Sequence, residues 1–158
     1  VPDDRLVGDV DGARRFLVSL DGANGKVGTI GYCSGGRQSF LAACSLDLDA
    51  AVDCYGAFVV GTPPEGMPLK VGPLLDRAKD LSCPLLGLFG ADDTHPPPEE
   101  NAVLDQTLED LGKPHEFHTY EGAGHAFFAT DRPSYRPEAA NDGWARIWDF
   151  FGRYLASG

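Results

Sequence analysis

Basic residues, long apolar runs and paired cysteines are all scarce in this sequence of 158 residues. Lysine and arginine together number 13 against 24 aspartates and glutamates, which gives a formal net charge of −11. A surface that acidic repels phosphate backbones and anionic headgroups, so we expect neither nucleic acid nor membrane as a partner. No apolar run approaches the ~20 residues that a membrane span requires. The composition, 42% hydrophobic, is that of a globular protein, and we assign residues 1–158 to a single domain.

The four cysteines form no C-x-x-C pair and no spacing typical of a disulfide scaffold. Cys44, Cys54 and Cys83 lie among apolar neighbours, and we expect them to be small buried side chains in a reducing cytoplasm. Cys33 differs, because glycines stand two residues before and two residues after it. A redox role for Cys33 would need a resolving cysteine, and no C-x-x-C neighbour offers one. The sequence therefore predicts a cytoplasmic protein in which three cysteines are structural and Cys33 lies in a different, glycine-flanked setting.

Apolar periodicity and turn residues predict alternating helices and strands along the chain. The expected strands are 26–31, 50–55, 84–90 and 115–120, and the expected helices are 10–20, 35–43, 74–81, 99–111 and 137–155. This order is typical of an α/β fold in three layers, a parallel sheet with helices on both faces. The stretch 59–73 is rich in glycine and proline and is predicted to be a loop, a kind of segment that often carries function.

The segment Gly31-Tyr32-Cys33-Ser34-Gly35 lies between a predicted strand and a predicted helix. Its spacing is that of the nucleophile elbow, whose two glycines are needed where the backbone approaches itself closely. Amides at the start of the following helix would stabilise a Cys33 thiolate, and the backbone N–H of Ser34 could donate to an oxyanion. Ser34 is the alternative nucleophile, but its spacing would require a small residue at Tyr32. We predict Cys33 as the nucleophile, against the alternative of an inert buried cysteine in a tight turn.

Two further loops carry polar side chains at the same edge of the predicted sheet. Strand 84–90 leads into Asp92 and Asp93, and strand 115–120 leads into the glycine-flanked His125. Because parallel strands end at one edge, these side chains can converge on the nucleophile. Nucleophile, acid and histidine is also the chain order of α/β-hydrolase triads, in which the histidine relays protons and the acid orients it. His115 and His118 stand three apart on a strand, point to opposite faces, and are not expected to share a metal.

Together these segments resemble the dienelactone hydrolase family (carboxymethylenebutenolidases) of the α/β-hydrolase fold. The resemblance runs from about residue 9 to residue 155 and is carried by 31–37, 55–56, 90–93 with Pro97, 124–127 and 131–135. It implies a triad of Cys33, Asp93 and His125, with Asp92 as the alternative acid. It also implies hydrolysis of a small-molecule ester or lactone through a thioester, with no metal and no organic cofactor.

Two departures from the family bear on what the resemblance implies. The family has serine directly after the catalytic histidine and a substrate-binding arginine four residues beyond it, where this chain has Ala126 and Ala129. Arg132 is near enough to replace that arginine, and with Tyr32 and Phe127 it completes the expected substrate-binding residues, although Phe127 is equally suited to a core. The family also has strands upstream of those predicted here, so we expect a sheet that lacks them and has an open apolar edge. The alternative to an active enzyme is a hydrolase-like chain that needs a partner segment or a second copy, as in a homodimer.

Overall fold

Four apolar segments form a parallel sheet in the computed structural model, which describes residues 1–156. The strands are β1 (Gly28–Tyr32), β2 (Ala50–Cys54), β3 (Leu85–Gly90) and β4 (His115–Tyr120), and they lie in the order β1-β2-β3-β4. All three neighbouring pairs are parallel. Both central strands, β2 and β3, are buried at every position, which explains their continuous apolar sequences. The predicted strands are confirmed, with small shifts at their ends.

Helices connect the strands as the sequence predicted. They are α1 (Asp3–Ser19), α2 (Ser34–Ala43), α3 (Pro98–Asp110) and α4 (Pro137–Leu155). Proline opens both α3 and α4, where its missing N–H costs no hydrogen bond. Two expectations need correction: α1 begins earlier than the apolar periodicity indicated, and segment 75–80 is a 3₁₀ helix, Leu75–Asp80, rather than an α-helix.

Two apolar cores hold the helices to opposite faces of the sheet. On one face, Ala51 and Leu85 belong to a core that includes Leu104 of α3 and the buried side of α2. On the other face, Val52 belongs to a core that includes Phe150 of α4. Burying a large apolar side chain of this kind contributes about 1.5–3 kcal/mol. The three-layer α/β architecture follows from this alternation, and it confirms the predicted fold class.

Strand β1 forms one edge of the described sheet and pairs only with β2 there. Its Ile30 is 38% exposed, and Phe16 of α1 and Trp148 of α4 are 64% and 67% exposed. Within residues 1–156 the first strand is thus an open edge of the sheet, as expected, with the apolar side chain of Ile30 partly exposed. None of the helices within residues 1–156 combines the length and apolarity needed to cross a bilayer.

Candidate active site

The turn between β1 and α2 holds Cys33 in a strained conformation at the carboxyl edge of the sheet. Its φ is 57°, in the left-handed region that side chains with a Cβ rarely adopt. A Cβ on Gly31 would overlap the backbone of Gly35, and a Cβ on Gly36 would overlap the carboxylate of Asp53. One expectation is wrong here, because a Cβ on Gly35 itself would meet open space. Gly36, one residue later, is the glycine that the helix side of the turn requires.

The loops after β3 and β4 are joined by backbone hydrogen bonds that place the acid beside the histidine. The N–H of Ala91 donates to the carbonyl of Tyr120 at 2.9 Å, and the N–H of Asp92 donates to the carbonyl of Ala123, also at 2.9 Å. A Cβ on Gly90 would overlap that same Ala123 carbonyl, so glycine is needed for the two loops to approach. The paired loops form one rigid unit that carries both side chains.

Asp93, His125 and Cys33 form a continuous hydrogen-bonded chain. His125 Nδ1 lies 2.9 Å from Asp93 Oδ2, and His125 Nε2 lies 3.0 Å from Cys33 Sγ. Asp93 is 5% exposed, and its second oxygen accepts a hydrogen bond from the backbone N–H of His95 at 2.8 Å. Asp92, the alternative acid, is exposed to solvent. The structure therefore brings together the three residues that the sequence grouped, and Asp93 rather than Asp92 is hydrogen-bonded to His125.

The hydrogen bonds of this chain favour a thiolate–imidazolium pair. The hydrogen bond from His125, helped by the backbone N–H of Ser34, lowers the pKa of Cys33 against the opposing effect of burial. The hydrogen bond to Asp93, followed by the one to Cys33, raises the pKa of His125 to about 10. Burial has the reverse effect on another thiol, since it raises the pKa of Cys44 to about 12. Cys33 is exposed and the other three cysteines are buried, so among them Cys33 alone is both accessible and activated.

Aromatic rings surround the site on its α4 side. The ring of Tyr55, in the turn after β2, packs edge-on against His125 with centroids 5.2 Å apart. Tyr55 was not among the site residues expected from sequence, although its position at the end of a buried strand was a usable signal. Tyr32, expected to bind substrate, is half-buried, and its ring contacts Phe128 and Trp144 at 5.5 and 6.3 Å. Tyr32 thus contributes to the packing behind Cys33.

Two expected substrate-binding residues lie elsewhere. Phe127 is fully buried and packs against Tyr55, Tyr120 and Phe128, so it belongs to the core, the alternative that the sequence left open. Its burial corrects the expectation that it lines a pocket. Arg132 is exposed in the turns before α4, and it does not line the cavity beside Cys33.

A small cavity of about 80 Å³ opens beside Cys33 and Ser34. Its apolar wall includes Phe58 and, from the glycine- and proline-rich loop, Leu69 and Val71. The loop that the sequence predicted to carry function thus borders Cys33, and its functional role stays a prediction. Its polar wall includes Arg37 of α2, which sequence reasoning noted within a motif but gave no role. A charged residue in a helix of small and apolar residues was the available signal.

His115 and His118 lie on opposite faces of the sheet, as predicted. His115 hydrogen-bonds to Asp105 of α3, and His118 lies 3.8 Å from Asp142 of α4. Within residues 1–156, no three His, Cys, Asp or Glu side chains are grouped so that they could hold a metal ion.

The family model and the similar curated proteins agree on one family. The model of the dienelactone hydrolase family matches residues 1–155. A protein of Methylorubrum extorquens named "Putative carboxymethylenebutenolidase" is 38% identical over 156 residues, which cover 98% of this chain and 52% of that protein. The carboxymethylenebutenolidase of Rhodococcus opacus is 33% identical over 158 residues, which cover 99% of this chain and 60% of that protein.

A solved structure from Klebsiella pneumoniae, titled as a putative dienelactone hydrolase, is similar in fold. Its TM-score is 0.86 at 35% identity, with 98% of this chain and 63% of that chain covered. The chain thus spans a little more than half the length of the relatives it matches.

Proposed function

The chain belongs to the dienelactone hydrolase family, and from this premise we propose that it hydrolyses small carboxylic esters or lactones. Cys33 is the nucleophile, His125 the acid and base, and Asp93 the residue that orients His125. The observation that carries the proposal is the hydrogen-bonded chain from Asp93 through His125 to Cys33, with distances of 2.9 and 3.0 Å, at the carboxyl edge of the sheet.

In the first half of the reaction, the Cys33 thiolate attacks the carbonyl carbon of the substrate. The electron pair of the carbonyl moves to its oxygen, which the backbone N–H of Ser34 stabilises at the start of α2. When the intermediate collapses, the bond to the leaving oxygen breaks and that oxygen takes the proton from His125 Nε2. A thioester on Cys33 and a free alcohol result; for a lactone, the alcohol remains attached to the acyl group.

In the second half, His125 must act as a base, and acylation itself makes this possible. The hydrogen bond to Cys33 is one of the two largest causes that raise the pKa of His125. A thioester sulfur carries no negative charge, so acylation removes that cause and the pKa of His125 falls. The neutral ring then takes a proton from water as the water oxygen attacks the thioester. Collapse expels the thiolate, releases the carboxylic acid and restores the ion pair.

The test compares two alanine variants of cysteine with the parent chain. Cys33→Ala should lower kcat/KM for 4-nitrophenyl butyrate and for a small lactone by at least ~10³-fold, because the nucleophile is lost. Cys83→Ala removes a buried thiol away from the site and should keep most of the activity. Iodoacetamide should abolish activity with one equivalent bound at Cys33. A Cys33→Ala variant as fast as the parent would overturn the proposal.

A second proposal concerns the open edge of β1. We propose that a partner segment or a second copy of the chain covers this edge in the active protein, because β1 pairs with β2 alone within the described residues and its Ile30 is exposed. Light scattering with activity measurements tests this, and a stable active monomer of 158 residues would contradict it.

We further propose a cytoplasmic setting, since an activated free thiol such as Cys33 persists in a reducing compartment.

A further inference from the structure

The cavity beside Cys33 borders α2 and the loop 59–73. Cys33 and Ser34 line it, and His125 does not. In the proposed reaction His125 gives its proton to the leaving oxygen, so the leaving group lies on the side of His125. The remaining side, next to the Ser34 amide and α2, is where the acyl group extends. The volume of about 80 Å³ admits a short acyl chain, roughly five water-sized groups.

The walls of this cavity are mostly apolar, and its polar lining residues include Arg37, Asp3 and Gln38. Phe58, Leu69 and Val71 line it, and the charged side chains at it are Arg37 and Asp3. Arg37 is 4% exposed, so its guanidinium is a buried charge that needs partners. An unpaired guanidinium at this point would attract a carboxylate on the acyl group.

The guanidinium of Arg37 donates hydrogen bonds to the carboxylate of Asp3 and to two backbone carbonyls. Its Nη1 and Nη2 donate to the two carboxylate oxygens of Asp3 at 2.8 and 3.0 Å. Nη2 also donates to the carbonyl of Gly72 at 2.7 Å, and Nε donates to the carbonyl of Phe58 at 3.3 Å. A bidentate pair of this geometry is strong, and Arg37 lowers the pKa of Asp3, which keeps the carboxylate ionised. The positive charge of Arg37 is therefore compensated where it borders the cavity.

We propose that the cavity binds a short, neutral, apolar acyl group, and that Asp3, by pairing with Arg37, excludes acyl groups that carry a carboxylate. The inference rests on the proposed function, since it assigns one part of the ester to one side of Cys33. Asp3 acts through Arg37 and is a specificity-determining residue. Removing its charge while keeping its shape leaves Arg37 with an uncompensated charge at the cavity.

Asp3→Asn tests the proposal, with Asp4→Asn as its matched control. Both substitutions remove one negative charge from the first turn of α1, but Asp4 is exposed and lies outside the cavity. Asp3→Glu keeps the charge and serves as the conservative variant. The first readout is the ratio of kcat/KM for 4-nitrophenyl hydrogen succinate to that for 4-nitrophenyl butyrate, since the two acyl groups share a four-carbon chain and differ in charge.

The second readout needs no turnover. Iodoacetate and iodoacetamide alkylate the same sulfur and differ in charge, so the ratio of their rates at Cys33, normalised to N-acetylcysteine, reports the charge around it. We expect Asp3→Asn to shift both ratios toward the anion by roughly five-fold, the effect of one charge pair in a partly solvated site. Asp4→Asn and Asp3→Glu should stay within about two-fold of the parent.

The outcomes separate this inference from the proposed function. If the chain hydrolyses neither ester while Asp3→Asn still shifts the alkylation ratio, the hydrolase proposal fails and the role of Asp3 stands. If esters are hydrolysed and Asp3→Asn behaves like Asp4→Asn in both readouts, the role of Asp3 is overturned. A parent chain that hydrolyses the succinate as efficiently as the butyrate would also overturn it.

Discussion

Asp53 carries a prediction about stability, because its carboxyl group is buried at the centre of the sheet. It lies on β2 with 0% exposure. Its Oδ1 accepts a hydrogen bond from the N–H of Gly56 at 2.7 Å, whereas Oδ2 has no partner within the described residues. Burial raises the pKa of Asp53 to about 7, only partly offset by the Gly56 hydrogen bond. Asp53 is therefore protonated in the native protein under conditions in which it is ionised in the unfolded chain.

The direction of the pH effect follows from proton binding. Between pH ~4 and ~7 the native state binds more protons at Asp53 than the unfolded state, so stability falls as pH rises through this range. A pKa of about 7 against the ordinary 3.8 corresponds to about 4 kcal/mol lost above pH 7, relative to a side chain that does not titrate. Asp53→Asn provides that side chain, because asparagine matches the shape of a protonated aspartate and keeps the acceptor for Gly56.

The assay is urea unfolding of both proteins from pH 4 to pH 8. We expect their stabilities to coincide near pH 4 and to separate as pH rises, until the variant is more stable by about 4 kcal/mol at pH 8, or roughly 10 °C in Tm. Asp47→Asn, an exposed position on the loop before β2, serves as the control and should follow the parent at every pH. Parallel curves for the parent and Asp53→Asn would refute the reasoning, since they would mean that Asp53 is ionised in the native state.

Three further predictions concern the site and the core. Iodoacetamide should alkylate Cys33 faster at pH 7 than it alkylates an ordinary cysteine, because the hydrogen bond from His125 lowers the pKa of the Cys33 thiol. His125→Ala should slow this alkylation by at least ~10-fold, and unchanged rates would contradict the ion pair. Asp93→Asn should lower kcat/KM by ~10²–10⁴-fold, because His125 loses the acceptor that orients it, and the drop should persist across the pH range of the ester assay. Phe150→Ala should lower the free energy of unfolding, measured in urea, by about 3–5 kcal/mol, because Phe150 is fully buried. Trp148→Ala, on the exposed side of α4, should lower it by under ~1 kcal/mol, and equal losses would contradict the assigned core.

Local patterns account for the parts of the fold that could be predicted. The run 84–90 is apolar because β3 is covered on both faces, and the prolines before α3 and α4 mark their first turns. The grouping of Cys33, Asp93 and His125 was also predictable, since each follows a strand of one parallel sheet and all such ends share an edge. In these cases the information lies within a few neighbouring residues.

Outside this grouping, individual side-chain contacts between distant segments were not predictable. Gly36 is required because Asp53 of β2 lies against it, and no spacing around the elbow reveals that contact. The pairing of Asp3 with Arg37 joins two helices and 34 positions of sequence, and neither residue stands out alone. Phe127 stands two residues after the histidine, and only the packing of the rings around it decides that it faces the core.

The position of β1 at the edge of the described sheet has a consequence for how the protein loses function. The strand that ends at Cys33 is held by hydrogen bonds to β2 alone, whereas β2 and β3 have neighbours on both sides. Local unfolding affects the least protected segments first, so the amide hydrogens of residues 28–32 should exchange with deuterium before those of β3. Detachment of that strand would relax the turn at Cys33 and separate its sulfur from His125 while both central strands remain paired. The proposed catalysis would then be lost in a subglobal opening, at a lower concentration of denaturant than the one that unfolds the sheet.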